Sequence, residues 1–337
     1  MRGAIRAAVA AAAVAVLVGC APSTPMPGPT DNALGSRLKA EVTGGGAVTH
    51  LQALQRIADD NGGTRVSPGP GYAASVDYVA GVLRDAGLQV STPTFQMGRR
   101  GGGEATVRNV IAQTRTGNTG HVVMIGAHLD SVRRGPGIND NGSGVAALLE
   151  IATRLGGSPS VTNAIRFAFW GGEEENLDGS TAYVEGLSDA ERTAIALYVN
   201  VDMVASPNGG YFVHGGAGGR SSGSGPPGSA EVGRVLADQL ASIGVTPELT
   251  RFDGSSDYEP FLEAEIPTGG VLAGDAGTKS AEQARRWGGQ AGEVFDPCYH
   301  AACDRLDSVN RTALDRFSDA LAGTLGYFAT TTDGPAR

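Results

Sequence analysis

Short apolar runs alternate with longer helical stripes along most of the chain. Residues 121–127, 165–170 and 197–203 are rich in β-branched and aromatic side chains, which predicts strands. Residues 145–155 and 314–328 carry apolar side chains at helical spacing. Strands that alternate with helices predict an α/β fold of three layers, with helices on both faces of a mixed, mostly parallel sheet. No repeat divides this region, so we expect a single domain.

The folded domain is predicted to span residues 47–331, followed by a short tail at 332–337. Its first helix carries Leu51 and the apolar residues one and two turns later, and Thr49 is the expected N-cap. Residues 20–46 are rich in Pro, Ser, Thr and Gly, a composition that buries too little apolar surface to fold. We expect this stretch to be a flexible linker with a reach of roughly 25–30 Å.

Residues 1–19 predict an export signal. Arg2 and Arg6 lead into an apolar stretch, 7–18, that is shorter than the roughly 20 residues needed to cross a bilayer. The stretch ends in the letters LVGC, which resemble the lipobox of bacterial lipoproteins, where the cysteine carries acyl chains such as palmitate. The alternative is an ordinary signal peptide with an incidental cysteine. We expect lipidation at Cys20, with the protein exported and anchored on the extracytoplasmic face of the cell membrane or shed from it.

Two cysteines remain when Cys20 is set aside. Cys298 and Cys303 lie close together in the sequence and are expected to pair in an oxidising compartment. So short a loop gains only roughly 2 kcal/mol by the chain-entropy estimate, so its main effect would be on local shape. The predicted disulfide encloses His300.

The chain is acidic, with a formal net charge of -9. That charge argues against a nucleic-acid partner, which would need a basic face. Acidic side chains can instead bind cations. Asp315 and Asp319 lie one turn apart on the last predicted helix and could share a structural Ca²⁺, with a solvated helix face as the ordinary alternative.

Groups able to bind a metal follow or end three of the predicted strands. His128 and Asp130 come after the first, residues 173–175 are three glutamates after the second, and Asp202 lies near the end of the third. In open α/β sheets, ligands bind outside the carboxyl ends of the strands. Each feature alone has an ordinary interpretation, as a hydrogen-bonded pair, an acidic turn or a helix cap. Their ordered combination predicts a metal site.

Charge balance favours two metal ions at this site. Asp140 follows in a Gly/Asn-rich loop that opens a helix, and His300 lies in the predicted disulfide loop. Many carboxylates placed together are unstable unless cations neutralise them. Two Zn²⁺ carry four positive charges, which Asp140, Glu174, Asp202 and a bridging hydroxide would balance.

The stretches MIGAHLDS, GINDNGSG, FAFWGGEEENLDGS, NVDM and DPCYHAACD resemble those of the secreted bacterial di-zinc leucyl-aminopeptidase family. The resemblance extends from about residue 48 to 330. It implies that His128 and Asp202 hold one zinc, that Glu174 and His300 hold the other, and that Asp140 bridges both. It also implies a catalytic domain that removes N-terminal residues from peptides, with an apolar residue as the expected preference.

The resemblance assigns roles to three further residues. Glu173 would be the general base that takes a proton from the metal-bridging water. Asp130 would orient His128 through its second ring nitrogen. Tyr299 would help to stabilise the tetrahedral oxyanion. We expect the protein to act as a monomer.

One position departs from the pattern of close secreted relatives. They have Asp-Gly-Arg-Ser-Asp where this chain has Ser255 in place of the arginine, which removes a bidentate carboxylate contact and leaves substrate preference open. Other activities of the same clan, a carboxypeptidase or a glutaminyl cyclase that functions with one zinc, remain alternatives. A non-catalytic binding lipoprotein is a third interpretation, against which the full set of ligands counts.

Overall fold

The computed structural model describes Met1 and residues 32–98, 102–215, 223–332, 334 and 335. The predicted signal and Cys20 lie outside the described residues. A sheet of eight strands forms the centre, and a separate pair, β2 and β3, lies beside it. The strands are β1 Gln89–Ser91, β2 Thr94–Gly98, β3 Glu104–Arg108, β4 Val110–Gln113, β5 Asn118–His128, β6 Asn163–Trp170, β7 Ile195–Asp202, β8 Phe212–His214, β9 Glu248–Thr250 and β10 Thr268–Leu272.

The sheet has the order β1-β4-β6-β5-β7-β10-β8-β9. Its centre, β6-β5-β7-β10, is parallel, β1 and β4 run antiparallel at one side, and β8 runs antiparallel to β10. The strand β9 pairs in parallel with β8 at the far edge. The mixed, mostly parallel sheet that the sequence predicted is therefore confirmed.

Helices cover the sheet and connect its strands. They are α1 Ala33–Glu41, α2 Gly44–Asp60, α3 Pro70–Asp85, α4 Gly142–Leu155, α5 Glu173–Asn176, α6 Asp178–Glu185, α7 Asp189–Ala194, α8 Ser229–Ser242, α9 Glu259–Glu263, α10 Ala281–Trp287 and α11 Arg311–Thr330. None of these helices has the length and apolar character needed to cross a bilayer. Alternate side chains of β5 enter two buried clusters, Val123 and Ile125 in one and Met124 in the other, so the sheet is covered on both faces.

Part of the predicted linker is helical, which corrects the boundary at residue 47. Leu38 of α1 is fully buried, and α1 packs against α11. The cap of α2 is Thr43, whose side chain accepts a hydrogen bond from the Gly46 backbone, and not Thr49. Three glycines at 44–46 suggested a flexible segment, but they allow side chains of other helices to approach the backbone. A Cβ on Gly44 would lie 2.8 Å from Asp315.

The two acidic residues of α11 contact these N-terminal helices. Asp315 Oδ1 accepts a hydrogen bond of 2.7 Å from the Gly44 backbone N–H. Asp319 Oδ1 lies 3.2 Å from Lys39 Nζ. Both carboxylates of the predicted calcium site thus have protein partners, and they hold α1 and α2 against α11.

Asn32, the first residue of the continuous described stretch 32–98, lies at the amino ends of the central strands. The Asn32 side chain donates a hydrogen bond to Thr330 Oγ1, at the end of α11. Asn163, the first residue of β6, donates 2.8 Å and 2.9 Å hydrogen bonds to the carbonyls of Phe328 and Thr331. The chain therefore enters the domain at the edge opposite the carboxyl ends of β5, β6 and β7.

Candidate metal centre

The carboxyl ends of β5, β6 and β7 lie side by side. His128 is in register with Trp170 across β5 and β6, and Asp202 ends β7 beside Leu272 of β10. The short helix α5 begins with Glu173 directly beyond β6. Adjacent parallel strands thus bring together the predicted ligands that are far apart in the sequence.

The first group of potential ligands surrounds His128, which is buried. Its Nε2 lies 3.2 Å from Asp140 Oδ1 and 3.4 Å from Asp202 Oδ1. Glu173 Oε2 is farther away, at 3.9 Å from the same nitrogen. One nitrogen and two carboxylate oxygens therefore converge on one point, with a third carboxylate beside it.

The second group surrounds His300. Its Nε2 lies 3.1 Å from Asp140 Oδ2 and 3.1 Å from Glu174 Oε2. Asp140 therefore directs one oxygen toward His128 and the other toward His300. This is the arrangement in which a single carboxylate can bridge two cations.

Asn141 ties the Asp140 loop to the end of β7. Its side chain caps α4 by accepting a 3.0 Å hydrogen bond from the Gly144 N–H, and it donates a 2.8 Å bond to the Val201 carbonyl. The same side-chain oxygen lies 3.2 Å from the Met203 backbone N–H. Asp140 and Asp202, which flank these contacts, are thereby fixed relative to one another.

The predicted disulfide between Cys298 and Cys303 is present. We call the segment 296–304 the disulfide loop. Asp304 at its end accepts hydrogen bonds of 2.6 Å and 2.9 Å from the backbone N–H groups of Asn139 and Asp140, and Asp296 at its start accepts a 2.6 Å bond from the Asn139 side chain. The loop that carries His300 thus also holds the backbone of the Asp140 loop.

A buried arginine that the sequence analysis missed supports the segment between His128 and Asp140. The Arg65 side chain is fully buried and donates hydrogen bonds to the carbonyls of Leu129, Pro136 and Gly137. Burial lowers the pKa of its guanidinium, and nearby carboxylates, Asp130 first among them, oppose that effect. No pattern around Arg65 in the sequence indicates this role, because every contact is with backbone distant in the chain.

Ser256 was also missed, although it lies in the stretch that departs from the family pattern. Its hydroxyl donates a 2.6 Å hydrogen bond to Asp202 Oδ2 and accepts a 2.9 Å bond from the Asn200 side chain. Asn200 in turn accepts from Tyr198, and Tyr198 accepts from the Trp170 indole N–H. This buried chain orients Asp202 so that its other oxygen faces His128.

Asp130 lies behind His128, as predicted, but not at hydrogen-bond distance. Its Oδ1 is 3.8 Å from His128 Nδ1 and accepts a 3.3 Å hydrogen bond from the Glu173 backbone N–H. Burial raises the pKa of Asp130 to about 6. Asp130 therefore links the His128 segment to the start of α5.

The electrostatics of the site favour bound cations. Burial and, after it, neighbouring Asp140 raise the pKa of Glu174 to about 7, and burial also raises the pKa of Asp257 to about 7. Hydrogen bonds to Asp140 and Glu174 raise the pKa of His300 to about 10. Among described residues, buried oxygens Glu174 Oε1 and Asp202 Oδ1 have no hydrogen-bond partner. Unpartnered carboxylate oxygens beside imidazole nitrogens fit the donor set that zinc prefers.

Glu173 and Tyr299 face the same cleft as these groups. The cleft has a volume of ≈ 280 Å³, and Leu177, Met203 and Leu272 contribute apolar wall. Burial, then the charges of Asp257, Asp202 and Glu174, raises the pKa of Glu173 well above its usual range. The Tyr299 ring stacks on His300 with 3.9 Å between ring centroids, and burial raises the pKa of its hydroxyl.

The sequence of this chain matches a known protein family. The family model described as "Peptidase family M28" matches residues 109–325, which contain the strands β4 to β10 and the loops that carry the proposed ligands. The chain belongs to peptidase family M28. The matched region includes His128, Asp140, Glu174, Asp202 and His300.

Curated proteins with similar sequences include two that match over more than half of this chain. A probable lipoprotein aminopeptidase of Mycobacterium tuberculosis is 53% identical over 68% of this chain and 47% of its own length. Leupeptin-inactivating enzyme 1 of Streptomyces exfoliatus is 45% identical over 81% of this chain and 59% of its own. The chain thus spans about half the length of the curated relatives it matches.

The fold is shared with solved structures at much lower identity. A zinc aminopeptidase from Bacillus subtilis superposes with a TM-score of 0.70 at 19% identity, covering 87% of this chain and 97% of that one. At this identity the likeness shows the fold alone. It confirms the layered architecture with its central mixed sheet.

Proposed function

We propose that this protein is a zinc-dependent aminopeptidase that binds two zinc ions. The observation that carries the proposal is the position of Asp140, whose two oxygens lie 3.2 Å from His128 Nε2 and 3.1 Å from His300 Nε2. His128 and Asp202 would hold one ion, Glu174 and His300 the other, with Asp140 shared. When bound, such paired ions polarise the scissile carbonyl and make a bridging water acidic.

The chain's own groups account for the remaining steps. Glu173 Oε2 lies beside the first ligand group without being its nearest carboxylate, so it is placed to accept the proton of the attacking water and return it to the leaving amine. Burial raises the pKa of Glu173. A carboxylate with a raised pKa can take up the proton of the water and hold it until the leaving amine accepts it. Tyr299 at the cleft wall is placed to donate to the developing oxyanion.

The cleft suits the N-terminal end of a peptide. Glu173, Asp202 and Asp275 line it, and carboxylates attract a free α-ammonium group. Leu177, Met203 and Leu272 offer apolar wall for the first side chain, which supports an apolar N-terminal preference. Every proposed ligand comes from one chain, so the site needs no second copy, in keeping with a monomer.

The decisive experiment pairs aminoacyl p-nitroanilides with their N-blocked versions and measures bound zinc in the same sample. We expect hydrolysis of the free leucyl substrate only, with two zinc ions per chain. Release of the C-terminal residue from an N-blocked dipeptide with a free carboxylate, without hydrolysis of the anilides, would indicate a carboxypeptidase. Cyclisation of N-terminal glutamine with one zinc would indicate a glutaminyl cyclase, and zinc binding without any turnover would indicate a binding protein.

We further propose that the chain is exported and lipid-anchored through Cys20. The LVGC letters at that residue and the lipoprotein name of the 53% identical relative support this. Incorporation of a labelled fatty acid that is lost in Cys20→Ala would test it. A calcium ion at Asp315 and Asp319, which contact Gly44 and Lys39, stays a prediction from the sequence.

A further inference from the structure

A second groove adjoins the metal cleft. Glu174 and His300 line both cavities, so the two share a wall at the second ligand group. The groove has a volume of ≈ 350 Å³, and Arg133 and Arg134 form part of its lining. We call it the arginine groove. A peptide that passes from the cleft over Glu174 and His300 would enter it.

Arg133 and Arg134 are exposed, and neither makes a hydrogen bond or ion pair with another residue in the described ranges. Some other exposed arginines of this acidic chain form ion pairs. Arg37 and Arg234 each lie 2.7 Å from a carboxylate one helical turn away. The two guanidiniums at the groove are therefore available to a ligand.

The two cavities differ in charge. Among the described residues, those that line the metal cleft include several carboxylates and no lysine or arginine. The arginine groove is lined by two positively charged guanidiniums and by the carboxylates of Glu174 and Glu175. Under the proposed function, a bound cation would neutralise Glu174, so the positive charges would outnumber the remaining negative one. A short peptide at neutral pH carries an ammonium at one end and a carboxylate at the other. Such a peptide matches the pair of cavities in only one direction, with its N-terminus in the cleft.

We propose that the arginine groove binds a carboxylate that lies beyond the scissile bond. The favoured substrates are then short peptides with a free C-terminus, or peptides with an acidic side chain near the cleavage point. This inference rests on the proposed aminopeptidase function. A guanidinium presents paired N–H donors that match a carboxylate, which gives the groove its preference for that group.

The first experiment compares the carboxylic acid and the amide of Leu-Gly, Leu-Gly-Gly and Leu-Gly-Gly-Gly with the zinc-loaded, full-length protein. We expect kcat/KM to favour the acid by about two- to fivefold at the length that reaches the groove, a range set by exposed ion pairs. The preference should shrink at 0.5 M salt, because exposed charges are screened. Leu-Gly-Asp-amide against Leu-Gly-Asn-amide tests a side-chain carboxylate in the same way.

The second experiment uses Arg133→Gln, Arg134→Gln and the double variant. For each variant, kcat/KM for the acid is divided by kcat/KM for the amide, so that a general loss of activity cancels. The ratio should fall toward one in the double variant and be only partly kept when both residues become lysine, which retains the charge but not the paired N–H donors. Arg285→Gln on α10 is the matched control, since Arg285 is exposed and lines neither cavity.

Two results would overturn the inference. A wild-type ratio near one at every length, or a ratio that persists in the double variant, rejects the groove as a carboxylate site. If Leu-p-nitroanilide, which carries no carboxylate, is still hydrolysed, the proposed function survives that rejection. If the zinc-loaded protein hydrolyses neither the anilide nor any peptide, both proposals fail.

Discussion

Glu173 and Glu174 are adjacent in the sequence but have different surroundings. Glu174 Oε2 lies 3.1 Å from His300 Nε2, at the distance of the other proposed ligand contacts. Glu173 Oε2 is 3.9 Å from His128 Nε2, and its backbone N–H donates to Asp130. This difference is why we assign one glutamate to metal binding and the other to proton transfer.

Replacing Glu173 with glutamine should separate these roles. Glu173→Gln keeps the size of the side chain but removes the basic oxygen, so we expect kcat to fall by at least about 100-fold. Zinc content and melting temperature should stay near wild type. Glu185→Gln, an exposed change on α6, is the control. Retention of most of the activity in Glu173→Gln would rule out Glu173 as the base.

Ser256 should influence metal affinity through Asp202. Ser256→Ala leaves Asp202 Oδ2 and the Asn200 amide without their shared partner, and such outer contacts typically change metal affinity by about 10- to 100-fold. Competition with a chelator would measure the change. Ser255→Ala is the matched control, because Ser255 bonds to Asp253 and not to Asp202. Equal zinc affinity in the two variants would contradict the role of Ser256.

The sequence indicated which side chains meet at the site better than it indicated their supports. Ligand types are recognisable because His, Asp and Glu at strand ends have few other uses in combination. The supports contact residues far away in the sequence. Arg65 bonds to residues at least 64 positions away, Ser256 bonds to Asp202 at 54 positions, and Asp304 bonds to residues at least 164 positions away. No local pattern encodes such contacts, so only the folded chain reveals them.

At the scale of elements, the disulfide loop connects the two halves of the site. It carries His300 and Tyr299 and, through Asp304, binds the backbone of the loop that carries Asp140. A change in this loop would therefore alter both proposed zinc positions together. The His300 backbone has a φ of 55°, a left-handed conformation that costs about 1 kcal/mol or more outside glycine, and the contacts at both ends of the loop maintain it.

Asp304→Asn should weaken zinc binding at both positions. An asparagine has one acceptor oxygen for the two N–H groups of Asn139 and Asp140, so one buried donor loses its partner at a cost of about 1–3 kcal/mol. We expect lower zinc occupancy under chelator competition and a lower melting temperature. Asp307→Asn, an exposed change three residues later, should match wild type. Loss of only one zinc would show that the loop does not couple the two positions.

Element prediction failed mainly at the N-terminus. The strands β5, β6 and β7 and the helices α4 and α11 follow from the apolar spacing described above. The helix α1 and the start of α2 do not, because glycines and small residues there gain their stability from contacts with α4 and α11. Thr43 caps α2 with help from Glu150, whose carboxylate accepts from the Thr43 N–H at 3.3 Å.

For the molecule as a whole, the site concentrates buried charge that only bound cations neutralise fully. Burial raises the pKa of Glu174, Asp257 and Asp304 to about 7 in the folded chain. Without metal, the folded state therefore binds more protons than the unfolded chain between roughly pH 4 and 7. Below the pKa that these carboxyl groups have in the unfolded chain, their full contribution to the free energy of unfolding is present. That contribution is lost as the pH rises through the higher pKa that they have in the folded chain.

Metal-free protein should thus become less stable between pH 5 and pH 8. For a domain of this size, a loss of about 2–3 kcal/mol would lower the melting temperature by roughly 3–5 °C. Zinc-loaded protein should change less, since the cations stabilise the ionised carboxylates. Differential scanning fluorimetry of chelated and reloaded samples would measure both. Chelated protein that is equally stable at the two pH values would contradict this account of the site.

The entry point of the chain lies at the end of the sheet opposite the cleft. Asn32 contacts Thr330 near the amino end of β6, whereas His128 and Glu173 lie at the opposite end of strands whose eight residues extend about 25 Å. If the proposed N-terminal anchor is present, it would attach to the domain on the side away from the cleft. Peptides could then diffuse in from the surroundings without crossing the crowded layer next to the lipid.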